Sequence, residues 1–275
     1  MTTPDATPQF TDDDLATAMG LISQPITQLT ELIVLSDEEI RTIDGVDHEA
    51  VTPLPWIEDH ADSPEERDLA AAVAMRSLMA RGLITSNAVT DPLARTSADE
   101  QPMTFEPAPE LRGTAVLRRT SDHVVLMERR TASGSVFAFF HVFDLQEGRR
   151  VMSEVFDASG FHHFHLMPGD LLMERCERVV DPSGALGTTD TEPVTIPEED
   201  LEASEQVQHL AQAEAVTEVM VMQRGTQTVT AVTLFALADH LEMLERDQEA
   251  GAVRVRQISR ERLTSLLESL LVTAS

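Results

Sequence analysis

Two segments of this chain, SGFHHFHLMPGDLLMERCERVV (159–180) and AGAVRVRQISRERLTSLLESLL (250–271), run beside each other without a gap. Gly160 falls on Gly251, Phe164 on Val255, Leu172 on Leu263 and Glu177 on Glu268. Upstream, VLMERRTASGSVFAFFHVF lies over VMVMQRGTQTVTAVTLFAL after a three-residue shift. A chain that uses one supersecondary unit twice must bury the same face twice, which removes most folds at once. The unit reads as strand–strand–strand–helix, its first copy at about 110–180 and its second at about 216–272.

The strands come from alternation. TAVLRRT, HVVLMERR and SVFAFFHVFD are β-rich segments separated by SD and TASG, as consecutive hairpins require. RVMSEVFD and FHHFHLM continue the sheet, and PGDLLMERCERVV reads as a helix after a turn. VTEVMVMQRG and QTVTAVTLFAL form a second hairpin, AGAVRVRQI a further strand, and SRERLTSLLESLL the closing helix. Between the copies, residues 181–206 are rich in Pro, Gly, Thr and acid and read as a linker or long mobile loop. Residues 1–14 read as a disordered acidic tail, and 15–275 as a single α+β domain.

Helix signals precede the sheet. DDDLATAMGLI carries carboxylates where a helix dipole favours them. SPEERDLAAAVAMRSLMARGL has Ser63 as N-cap, Pro64 at the first helical position, Glu65 and Glu66 in the first turn, and Gly82 as the stop. Leu69, Val73 and Leu78 supply its apolar face. The stretch ITQLTELIVLS reads as a strand.

The repeat also decides how to read FHHFH (161–165). His163 and His165 fall on Arg254 and Arg256, while His162 and Phe164 fall on Val253 and Val255. Alternate side chains share a face, so His163 and His165 lie together on a face that the second copy fills with arginine. Arginine does not ligate metals and rarely lies buried without a partner. His163 and His165 are therefore expected on a polar, partly exposed strand face. Two alternatives stand: a metal site of His141, His163 and His165, and a surface that responds to pH.

Composition narrows function. The net charge is −28, every basic residue is arginine, and Asn87 is the only asparagine. Such a surface repels phosphate backbones, which argues against a nucleic-acid partner and against a winged-helix reading of the first helices. No run of eighteen apolar residues occurs, so no membrane insertion is expected. The single cysteine, Cys176, excludes an intramolecular disulfide and fits a reducing cytoplasm, most simply as a small core residue. The flanking glutamates oppose a nucleophilic role for it. There is no G-x-S-x-G, Walker loop, G-x-G-x-x-G or H-E-x-x-H, so neither enzymatic chemistry nor a cofactor is expected.

The segments MRSLMARGLITSNAV, PAPELRGTAVLRRT, VMVMQRGTQTVTAVTLFAL and AVRVRQIS, ending in a leucine-rich helix, resemble the EspG family of cytosolic chaperones associated with type VII (ESX) secretion in actinobacteria. The likeness covers roughly 65–180 and 216–272; the family's usual N-terminal strand is replaced here by a helix and an acidic tail. It implies an antiparallel β-sheet with flanking helices arranged about a quasi-twofold axis. It also implies a non-enzymatic role: binding an aggregation-prone, helical PPE-type secretion substrate. On physical grounds the client-binding surface is expected around Phe137, Phe139, Phe140, His163 and His165, with the 181–206 loop as a clamp. Each phenylalanine taken singly also fits a core position.

Overall fold

The computed structural model describes residues 10–45, 50–87, 104–223, 229–247 and 250–273. In chain order the first elements are α1 (Asp12–Ile22), β1 (Thr30–Ser36), α2 (Asp37–Asp44), α3 (Pro55–His60) and α4 (Pro64–Ala80). They are followed by β2 (Ile84–Ser86), β3 (Phe105–Pro107) and α5 (Pro109–Thr120). Then come β4 (His123–Thr131), β5 (Gly134–Leu145), β6 (Gly148–Asp157), β7 (Phe161–Pro168) and α6 (Leu172–Val180). The chain continues with β8 (Val194–Pro197), α7 (Glu205–Leu210), β9 (Ala215–Gln223), β10 (Val229–Ala236), β11 (Leu241–Asp247), β12 (Ala252–Ile258) and α8 (Arg260–Thr273).

By contacts the chain falls into two compact units. One comprises residues 1–25, 31–120 and 159–164, the other 26–30, 121–158 and 165–275. The second holds the antiparallel sheet. Its strands lie in the order β6-β5-β4-β9-β10-β11-β12-β8, and every one of these pairings is antiparallel. The central pair is β4–β9, where Leu126 faces Met220 and Met127 faces Val219.

Helices α6 and α8 cover this sheet. Leu172, Cys176 and Val180 of α6 and Leu263, Leu267 and Leu271 of α8 join one core with Val125, Phe140, Val219 and Met243. Each helix therefore buries positions four apart, as one face of an α-helix does. The same six residues are those that the ungapped overlay places together, and Gly160 and Gly251 both have positive φ, 70° and 58°. Four strands precede each helix, β4 to β7 before α6 and β9 to β12 before α8, where the sequence reading expected three.

Two segments, TAVLRRT and 181–206, depart from the sequence reading, and a third, LEMLERD, had no reading. TAVLRRT is helical, as the end of α5, and not a strand. Thr114, Leu117 and Arg118 are buried with Leu111 at helical spacing, and Gly113 lets Leu21 of α1 approach where a Cβ would collide with it. Tertiary contact overrides the β-propensity of Thr and Val. The segment LEMLERD is β11, although its residues are good helix formers, because β10 and β12 hydrogen-bond to both its edges. The 181–206 stretch contains β8, which pairs with β12 and buries Ile196, and a 3-10 turn at Glu198–Ala203. Its carboxylates tie it down: Asp181 accepts the Ala185 and Leu186 N–H groups at 2.8 Å, and Asp190 accepts from Ser259 N–H at 2.8 Å. At the N-terminus, α1 begins inside the expected tail, with a capping box between Thr11 and Asp14. Residues 1–9 of that tail lie outside the described residues. No described helix is long and apolar enough to cross a membrane.

Candidate functional site: an apolar groove along α4

The first unit is organised by one carboxylate. Asp37 follows the N-cap Ser36 of α2 and is fully buried. Its Oδ1 lies 2.7 Å from His162 Nε2, and its Oδ2 accepts the backbone N–H of Trp56 at 2.7 Å and of Ile57 at 3.3 Å. Its own N–H donates to the Gly160 carbonyl at 2.9 Å. A Cβ at Gly160 would stand 2.6 Å from Trp56 Cβ and 3.0 Å from Asp37 Cγ, so only glycine fits there. A buried charge persists when it is paired and hydrogen-bonded, and Asp37 meets that condition on both oxygens.

A buried cation, Arg118, also holds this unit. Arg118 donates to Asp44 at 2.9 Å and to Thr52 at 2.7 Å. Its guanidinium also lies 5.9 Å from the centre of the Phe164 ring.

Fixing Trp56 fixes a groove wall. Trp56 stacks on His60 with centroids 4.6 Å apart and 10° between the planes, and the His60 ring nitrogen Nδ1 lies 2.8 Å from the Trp56 carbonyl. Opposite stand Leu69, Ala70, Val73 and Ala74 of α4, and the space between has a volume of about 400 Å³. Of the expected apolar face, Leu78 is buried together with Ala74, whereas Leu69 and Val73 are 66% and 58% exposed. Glu39, buried at the base, accepts from Ser77 Oγ at 2.8 Å and from Arg81 at 2.5 Å, and Glu38 and Glu66 stand at the rim. The result is an apolar slot with acidic edges, the form that takes the nonpolar side of a helix.

The expected surface is distributed differently. Phe139 and Phe140 are 3% and 1% exposed. Phe140 belongs to the core under α6 and α8, and Phe139, on the other face of β5, stacks on Phe156 at 5.9 Å, so neither offers its ring to a partner. Phe137 is half-buried and stacks on Phe156 at 5.1 Å. His163 is exposed and His165 half-buried, as the arginine-bearing second copy implied, while His162 and Phe164 are buried. Beside them Phe161 is 54% exposed. His141 is buried with its Nε2 3.3 Å from Glu154 Oε2. Among the described residues His141, His163 and His165 do not form a group within ligand reach; the group that does so is His209, His240 and Glu242.

The chain thus has an α+β fold in which helices flank a large antiparallel sheet. No family model matches the sequence, and no curated protein does. Among solved structures its fold resembles the Mycobacterium tuberculosis type VII secretion system chaperone EspG5, solved in complex with a PE25–PPE41 dimer. The TM-score is 0.50 at 12% identity, covering 87% of this chain and 95% of that one. Full-length peroxisomal multifunctional enzyme type 2 from Drosophila melanogaster aligns with a TM-score of only 0.16 at 13% identity, covering 85% of this chain and 48% of that one.

Proposed function

We propose that this protein is a non-enzymatic cytoplasmic carrier for a helical, aggregation-prone client of the PE/PPE kind, holding it soluble for type VII export. The observation that carries this reading is the fold likeness to a secretion chaperone over 87% of the chain. Composition supports it: a protein of net charge −28 disperses well and keeps an apolar client from self-association. The groove of Trp56, Leu69, Ala70 and Val73 offers such a client an apolar seat. Within the first unit, the exposed Phe161 and His163 are a second candidate contact.

The test is affinity purification of the tagged protein from its native host, with mass spectrometry of what accompanies it. Recovery of a PE- or PPE-type protein at near-equal stoichiometry is the expected result. Recovery of the chain alone, from cells shown to express such clients, would overturn the reading.

A further inference from the structure

His240 stands in the turn between β10 and β11, where the Leu237 N–H donates to the His240 carbonyl at 2.9 Å. Glu242 is two residues further on, and positions two apart along a strand share a face. Glu242 is 6% exposed. Gln206 of α7 lies 3.3 Å from each of its carboxylate oxygens. His209, in the last turn of the same helix, brings its ring centroid to 6.1 Å from that of His240. One ligand atom from each of His209, His240 and Glu242 lies within 4.8 Å of the other two.

The geometry points to a site for one divalent transition-metal ion of the zinc class, held by His209, His240 Nε2 and the Glu242 carboxylate. Four features favour this over an ordinary polar cluster. First, His240 Nδ1 lies 2.6 Å from Asp239 Oδ1. A proton held there on Nδ1 leaves the Nε2 lone pair directed at Glu242, the carboxylate–histidine arrangement that orients metal-ligating imidazoles. Second, His240 Nε2 and Glu242 Oε1 are 3.3 Å apart. That is long for a charge-assisted hydrogen bond, which runs at about 2.7–2.9 Å. It equals the separation of two ligand atoms on a tetrahedral zinc, about 3.3 Å for bonds of roughly 2.0–2.1 Å.

Third, the donor set is two imidazoles and a carboxylate, which suits zinc and its neighbours rather than calcium or magnesium. Fourth, two carboxylates flank His240, so the site attracts a cation. His209 closes from at most 4.8 Å to about 3.3 Å by a side-chain rotation at the end of a short helix. Three protein ligands leave a fourth position for water or a client side chain. The ion would clasp α7 to the edge of β11, independently of whether the protein carries a client.

The experiment uses full-length protein dialysed against a chelator and then against buffer, titrated with Zn²⁺ by calorimetry and with Co²⁺ by visible absorption. One equivalent of Zn²⁺ is expected, with Co²⁺ giving the d–d bands of a four- or five-coordinate ion. His209→Gln and His240→Gln should each remove that equivalent. Asp239→Asn should weaken binding about 10- to 100-fold while leaving the stoichiometry intact. Absence of Zn²⁺ uptake would overturn the site. So would an unchanged stoichiometry in a His209→Gln/His240→Gln double variant that keeps the wild-type circular dichroism spectrum, since the ion would then sit on other histidines. If that double variant unfolds, Glu242→Gln, which retains its contact with Gln206, carries the same test.

Discussion

Asp37 shows how one residue governs the first unit. It joins His162, Trp56 and Ile57, and its removal takes away a carboxylate that a buried imidazole and two backbone donors contact. Losing a buried hydrogen-bond acceptor costs about 1–3 kcal/mol. Asp37→Ala should therefore lower the urea midpoint by that amount of stability, whereas a surface change such as Glu38→Ala stays within about 0.5 kcal/mol. Gly160→Ala should be destabilising for a second reason, because φ there is 70° and the added methyl meets Trp56. Cys176 makes the opposite kind of prediction. Burial pushes its thiol well above the ordinary range, with Arg175 offsetting only part of the effect. Native protein at pH 8 should resist iodoacetamide and modify fully only in denaturant; stoichiometric alkylation of the folded chain would contradict that placement. The pairing of Asp37 with His162 was not legible in the sequence. FHHFH showed which two histidines share a face, but the partner carboxylate lies 125 residues away.

At the scale of elements, legibility followed the local signal. Helix α4 could be read because Ser63 and Glu66 make a capping box with Pro64 at the first position, and β4 to β7 because they are β-rich runs separated by turn residues. Segment α5 misled because its helix depends on Leu21 of α1 meeting Gly113, a contact with no local trace. The face of α4 misled as well: apolar residues occur on more than one side of it, so periodicity could not separate Leu78, which is buried, from Leu69 and Val73, which line the groove. Two predictions belong here. Leu69→Ser/Val73→Ser should leave the unfolding midpoint nearly unchanged, because both side chains are exposed, and should abolish client retention on a tagged column. The Glu66 carboxyl is held below its ordinary value, chiefly by the Ser63 backbone N–H and then by its hydroxyl. A depressed carboxyl stabilises the fold fully above its ordinary pKa and loses that contribution as pH falls through the depressed value. Wild-type α4 should consequently fray on acidification, seen as loss of helical ellipticity, and Glu66→Gln should lack that step.

For the whole molecule, the overlay of 159–180 on 250–271 placed together the residues that α6 and α8 bury on one core. Burial on a shared sheet asks the same spacing of apolar residues from both helices, which is why the overlay aligned them. The 181–206 connection escaped because its Pro, Gly and acid content describes a loop, while Ile196, Asp181 and Asp190 anchor it through partners distant in sequence. The central claim is that the molecule carries a helical client. The most direct measurement is the mass, by light scattering after size exclusion, of the protein co-expressed with a PE–PPE pair from its own genome. One discrete species with the summed mass of one chain and its client is expected, with a client that precipitates when expressed without the chain. Elution of the chain at its own mass of 30.3 kDa, with the client equally soluble in its absence, would contradict it.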